Sequence, residues 1–177
     1  MKNVNYLIVF FAFFAALSAC KKDDKNDAWK EANTNAYEEI TKNPNYHELK
    51  TGSGPSGVFY KIIKSGTGTE HPFQTSSVKV LYKGSFYDGS IFDQGTSKNE
   101  NPVEFSLTGN GVIRGFSFAL QNMVVGDHWE IWIPYYLGYG STGYTITDYL
   151  SGTYKTVIEG YTTLVFEVEL VSIVQYP

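Results

Sequence analysis

From Val58 towards the C-terminus the apolar residues of this chain recur mostly at every second position, and that period constrains its fold more than any other feature. Leu164, Phe166, Val168 and Leu170 fall on one side of an extended chain, Glu167 and Glu169 on the other, because successive side chains of a strand point to opposite faces. Val78-Lys79-Val80-Leu81-Tyr82 and Trp129-Glu130-Ile131-Trp132-Ile133 alternate too, and Val58-Phe59-Tyr60-Lys61-Ile62-Ile63 runs into a Gly66-Thr67-Gly68 turn. Sheets with one buried and one solvated face are antiparallel, so four or more antiparallel strands are predicted. Between them Phe116, Ala119 and Leu120 stand at helical spacing, bounded by Gly115 and Gly126, which predicts one short helix over Gly115 to Asn122. The class is α+β: a curved antiparallel β-sheet wrapped on one short helix, preceded by an N-terminal amphipathic helix.

Only a core can hold such a sheet together. The 177 residues contain one cysteine, Cys20, which excludes an intrachain disulfide and a four-cysteine zinc site. Aromatic residues make up 16% and charged residues only 18%, a balance that buries a core and does not suit a disordered tail. The net charge of −4 lacks the basic footprint that phosphate neutralisation needs, so nucleic acid is not an expected partner.

The N-terminus reads as an address. Tyr6 to Ala19 is a nearly unbroken apolar run, shorter than the roughly 20 residues that a membrane-crossing helix requires, and fits a signal peptide better than a permanent span. It ends in Leu17-Ser18-Ala19-Cys20, which resembles the bacterial lipobox. That resemblance implies a signal of residues 1–19, acylation of Cys20 as the first mature residue, and a membrane partner reached through the lipid anchor. The expected location is the outer membrane, on its periplasmic or cell-surface face. Lys21 to Asp27 is a solvated charge run, similar to the acidic surface-export stretches of some Gram-negative lipoproteins or else a plain hydrophilic spacer. Asp27 to Lys42 carries Trp29, Ala32, Ala36, Tyr37 and Ile40 on one helical face and should end before Pro44. Gly52-Ser53-Gly54-Pro55-Ser56-Gly57 then reads as a linker or a sharp entry turn. The predicted organisation is therefore a signal at 1–19, a lipidated tether with a short helix at 20–56, and the main domain at 57–177.

Val80-Leu81-Tyr82-Lys83-Gly84, Asp88-Gly89 and Phe92-Asp93 are the first of three segments that, in order, resemble the signatures of the FKBP-type peptidyl-prolyl cis-trans isomerases. Pro102 to Leu107, Val112-Ile113-Arg114-Gly115-Phe116, Ala119-Leu120, Met123 and Gly126 are similar to the second. Ile133-Pro134, Leu137, Tyr139-Gly140 and Leu164 to Leu170 are similar to the third. The resemblance covers roughly residues 57–175. It implies a pocket formed by Tyr82, Phe92, Asp93, Phe105, Val112, Ile113, Phe116, Tyr139 and Phe166, with Phe116 as floor and Tyr82, Phe105 and Phe166 as walls. The Ile113 N–H and the Tyr139 hydroxyl would hold substrate carbonyls, and Asp93 would act as an acceptor or orient Tyr82. Proline-containing polypeptides are the implied clients, and no cofactor is implied. Taken singly, each of these aromatics reads equally as core.

Two departures stand out. The family floor is usually Trp, where this chain has Phe116. Its Ile-Pro-Pro step is here Val157-Ile158-Glu159-Gly160, after a longer Ser141 to Thr156 loop on which Tyr144, Tyr149 and Tyr154 either meet clients or pack the loop down. These departures keep a second expectation open, a non-catalytic lipid-anchored FKBP-like module that binds peptide, protein or glycan. Other chemistries find little support. His47, His71 and His128 lack metal spacing, Gly109-Asn110-Gly111 is followed by no Lys-Ser/Thr and reads as a turn, and Asp88 and Asp93 belong to one loop rather than to a facing pair of acids. The oligomeric state is left open.

Overall fold

The structure is a computed structural model that describes residues 21–95, 101–109, 111–148 and 153–174. Residues 1–19, expected to be a signal, Cys20 and Tyr149 lie outside the described residues, as does the side chain of Tyr154. The first element is α1, Lys21–Lys42. It ends where Pro44 was expected to end it but starts ahead of Asp27, because the charge run before Asp27 contains no Gly or Pro, and an already nucleated helix propagates readily through such residues.

The strands are β1 (His47–Thr51), β2 (Gly54–Lys64), β3 (Ser77–Phe86), β4 (Ile91–Gln94), β5 (Val103–Ser106), β6 (His128–Ile133), β7 (Tyr144–Asp148), β8 (Thr153–Ile158) and β9 (Leu164–Val174), with α2 at Arg114–Leu120. Seven of them form one sheet in the order β1-β2-β6-β9-β3-β4, with β5 also on β3. Every pairing in it is antiparallel. The sheet begins ahead of residue 57: β1 pairs with β2 from His47 onward. Of the two expectations for the glycine-rich cluster, linker or sharp turn, the structure has the turn, at the tip of the β1–β2 hairpin. Gly52 and Ser53 close its turn, where Ser53 N–H donates to Thr51 Oγ1 (3.1 Å) and Thr51 Oγ1–H donates to Gly54 O (2.9 Å).

In β9 the alternation holds. Leu164, Val168 and Leu170 are fully buried, while Glu167 meets Lys83, its partner across the pair with β3, at 2.9 Å. Helix α2 buries Phe116, Ala119 and Leu120 against this face. A Cβ at Gly115 would lie 2.4 Å from Ile133 Cγ2, so the helix can approach β6 this closely only with glycine there.

Helix α1 is docked on the sheet. Trp29 Nε1–H donates to Thr162 Oγ1 (3.0 Å) and its ring stands edge-on to Phe86 at 5.8 Å. Asn33, only 1% exposed, accepts Thr163 N–H at 2.8 Å, and Tyr37 donates to Gly57 O. These residues recur every fourth position and so share one helix face. Within Ser141 to Thr156, expected as a loop, β7 and β8 form a separate two-stranded hairpin.

Candidate functional site

All nine residues singled out from the sequence line one open cleft of about 120 Å³, together with Gly111. Tyr82 comes from the middle of β3, Phe92 and Asp93 from β4, and Phe105 from β5. Val112 and Ile113 precede α2, Phe116 sits in its first turn, Tyr139 follows a short 3-10 turn at Tyr135–Leu137, and Phe166 is on β9. Their convergence follows from register. Gly84 pairs with Asp93 on one side and with Phe166 on the other, and a Cβ at Gly84 would lie 2.7 Å from Phe92 Cζ and 2.9 Å from Phe166 Cε1. A side chain at 84 would therefore push two walls apart.

The floor is both pocket and core. Phe116 and Phe166 are 3% and 6% exposed and lie 4.9 Å apart between ring centres. Tyr82 and Phe105, each partly buried, stand around Phe116 at 6.1 and 6.0 Å. Phe92 meets Phe166 edge-on at 5.6 Å. Such tilted and edge-on pairs match the quadrupoles of the rings and hold the walls in place.

The polar groups are few. Tyr82 Oη–H donates to Asp93 Oδ2 at 2.8 Å, and Asp93 Oδ1 accepts the Gln94 N–H at 2.8 Å. The bond to Asp93 fixes the direction of the Tyr82 hydroxyl. Burial pushes the Tyr82 phenol far above its ordinary range, aided by the hydrogen bond and charge of Asp93. Burial likewise raises Tyr139, next to Tyr144 and Asp93. Both phenols are therefore neutral donors at physiological pH. Among the described residues neither the Tyr139 hydroxyl nor the Ile113 N–H donates to a protein acceptor. Ile113 is extended (φ −61°, ψ 147°) and its carbonyl accepts the Phe116 and Ser117 N–H groups of α2. An apolar cup with two unspent donors and one fixed phenol can grip the main chain of a peptide and has no group poised for covalent attack.

Gly111 was read only as part of a turn. A Cβ there would lie 2.4 Å from Ser106 O at the end of β5, a close approach that no local pattern reveals. A second depression, on the solvent face of the sheet, is lined by Lys83, His128 and Glu167. Within it Glu167 meets Lys83 Nζ at 2.9 Å and His128 Nε2 at 3.0 Å. His128 is thus paired and partly buried rather than a free surface residue. Among the described residues no group of three or more His, Cys, Asp or Glu is disposed to hold a metal.

Residues 68–171 match the family described as FKBP-type peptidyl-prolyl cis-trans isomerase. The chain is 40% identical over 121 residues to the FKBP-type 22 kDa peptidyl-prolyl cis-trans isomerase of Escherichia coli K12, covering 68% of this chain and 52% of that protein. It is 43% identical over 86 residues to the outer membrane protein MIP of Legionella longbeachae, covering 49% and 35%. It thus spans about half or less of the length of these relatives. The crystal structure of a peptidyl-prolyl cis-trans isomerase from Pseudomonas syringae pv. tomato DC3000 superposes with a TM-score of 0.68 at 32% identity, covering 85% of this chain and 96% of that one.

Proposed function

This chain belongs to the FKBP-type peptidyl-prolyl cis-trans isomerase family, and on that premise we propose that it accelerates cis-trans isomerisation of X-Pro bonds in polypeptide clients. Rotation about that bond faces a barrier of about 18 to 20 kcal/mol because amide resonance must be broken. A site lowers it by binding the twisted amide better than either planar form. The twisted amide is the less polar species, and a cup of aromatic rings favours it. The proline ring rests on Phe116 between Tyr82, Phe105 and Phe166, while the Ile113 N–H and the Tyr139 hydroxyl hold main-chain carbonyls on either side. Asp93 keeps the Tyr82 hydroxyl turned to one side. The convergence of nine residues, from four strands, two loops and one helix, on a single cleft with two free donors is the observation that carries this reading.

An NMR exchange or protease-coupled assay on X-Pro peptides tests it. The uncatalysed step takes tens to hundreds of seconds, so acceleration is readily detected. A rate equal to buffer across several X residues overturns the proposal in favour of a binding module. Phe116 in place of the usual Trp, with a smaller ring and no indole N–H, is the feature that favours that second reading.

The address is part of the proposal. Residues 1–19 act as a signal peptide, Cys20 carries the lipid, and the folded part sits on the outer membrane and meets exported clients. A relative named as an outer membrane protein supports this, as does the lipobox-like Leu17 to Cys20. Cys20→Ser should shift the protein from the detergent phase to the aqueous phase, and unchanged partitioning would refute the anchor.

A further inference from the structure

The cleft does not end at Tyr139. A groove of about 460 Å³ continues from it, sharing Val112, Ile113 and Tyr139 with the cup and bounded beyond them by Arg114 and Tyr144. No acidic side chain among the described residues lines it. Arg114 is the only arginine of an otherwise acidic chain. Its Nη2 donates to Tyr136 O at 2.8 Å, which aims the guanidinium, and among the described residues no carboxylate pairs with it. A guanidinium has five N–H donors in a planar fork suited to a carboxylate, and most of them remain unused here. Tyr144 opposes it from the inserted β7–β8 hairpin. Its ring lies 5.2 Å from that of Tyr139, tilted by 32°, yet it is 46% exposed. Ile146, 44% exposed, follows on the same face of β7.

A client with its proline in the cup must lead its chain out, and an extended chain advances about 3.3 Å per residue. We propose that this groove is a flanking subsite that selects clients with an acidic residue within a few positions of the proline, Arg114 clamping the carboxylate and Tyr144 covering the adjoining main chain. This rests on the isomerase reading above and gives it a substrate class. Neither Arg114 nor Tyr144 contributes to the cup itself.

Peptides sharing one X-Pro core, with Glu, Gln or Lys scanned over three positions on either side, test it on the full chain by two measurements: exchange rate and binding by fluorescence titration. Glu should be preferred to Lys at one or more positions by about threefold or more, the scale of an exposed charge pair, and the preference should shrink as salt rises. Arg114→Gln should bring the Glu-to-Lys ratio close to one, and Arg114→Lys should restore part of it. Equal binding of Glu and Lys peptides at all positions overturns the subsite, as does a preference that survives Arg114→Gln. Acid-selective binding without acceleration of any peptide would support the subsite and refute the isomerase reading, so the two fail separately.

Discussion

Tyr139 and Phe166 face the same cleft, yet the physical effect of altering each is different. The Tyr139 hydroxyl has no acceptor among the described residues, so removing it costs the free protein nothing in hydrogen bonds. Tyr139→Phe should lower kcat/KM by about 0.5 to 1.5 kcal/mol if that hydroxyl holds a substrate carbonyl, with an unchanged melting temperature. An unchanged kcat/KM would remove the hydroxyl from the site. Phe166 is 6% exposed and packs on Tyr82, Phe92 and Phe116. Phe166→Ala should destabilise the fold by about 3 to 5 kcal/mol in urea titration. The sequence posed pocket and core as alternatives for these aromatics. At Phe116 and Phe166 the structure makes them one thing, because the outer surface of the core is the floor of the cleft. Arg114 and Gly111 were not legible as cleft or groove residues, since a lone cation and a turn glycine carry no periodic signal.

Among the elements, those with a buried stripe were legible. The alternation in β3, β6 and β9 and the helical spacing of α2 identify them because each buries one face against the core. β1 escaped notice because only Leu49 of His47-Glu48-Leu49-Lys50-Thr51 is buried. β7 escaped because its hairpin stands apart from the main sheet and leaves Tyr144, Thr145 and Ile146 exposed. Asn33 was the misleading residue of α1, since a polar side chain on a helix normally faces water. Here it is buried, holds the Thr163 N–H, and donates through Nδ2 to Trp29 O at 2.9 Å. Asn33→Leu leaves the Thr163 N–H buried without its acceptor and should cost about 1 to 3 kcal/mol. Amide hydrogen exchange should accelerate at Thr163. A stability within error of the parent would mean that α1 is not held as described.

Across the whole molecule, the buried phenols set the alkaline limit of stability. Burial raises Tyr37, Tyr46, Tyr82 and Tyr139, with neighbouring Tyr136, Glu130, Asp93 and Tyr144 respectively adding to it. The native state therefore keeps protons that the unfolded chain releases near pH 10, and stability should be level below that pH and fall as pH rises through it. On the acid side, Glu167 is held low by its hydrogen bond to Lys83, with His128 adding to it. Burial opposes ionisation of Glu130, yet hydrogen bonds from Tyr46 and Trp132 and the charge of Lys61 outweigh it. Their contribution is present above the ordinary glutamate range and is lost as pH falls through and below it. Urea midpoints from pH 3 to 11 check both arms, and a midpoint that stays level to pH 11 would contradict the first. The position of β9 has a further consequence, in time rather than in energy. The strand formed last in the chain lies in the middle of the sheet, between β6 and β3. Until residue 164 and those after it are delivered, β3 and β6 have no partner between them. Such non-local pairing places refolding in the range of milliseconds to seconds. During synthesis the two half-sheets, β1-β2-β6 and β3-β4-β5, therefore wait unjoined until β9 is delivered.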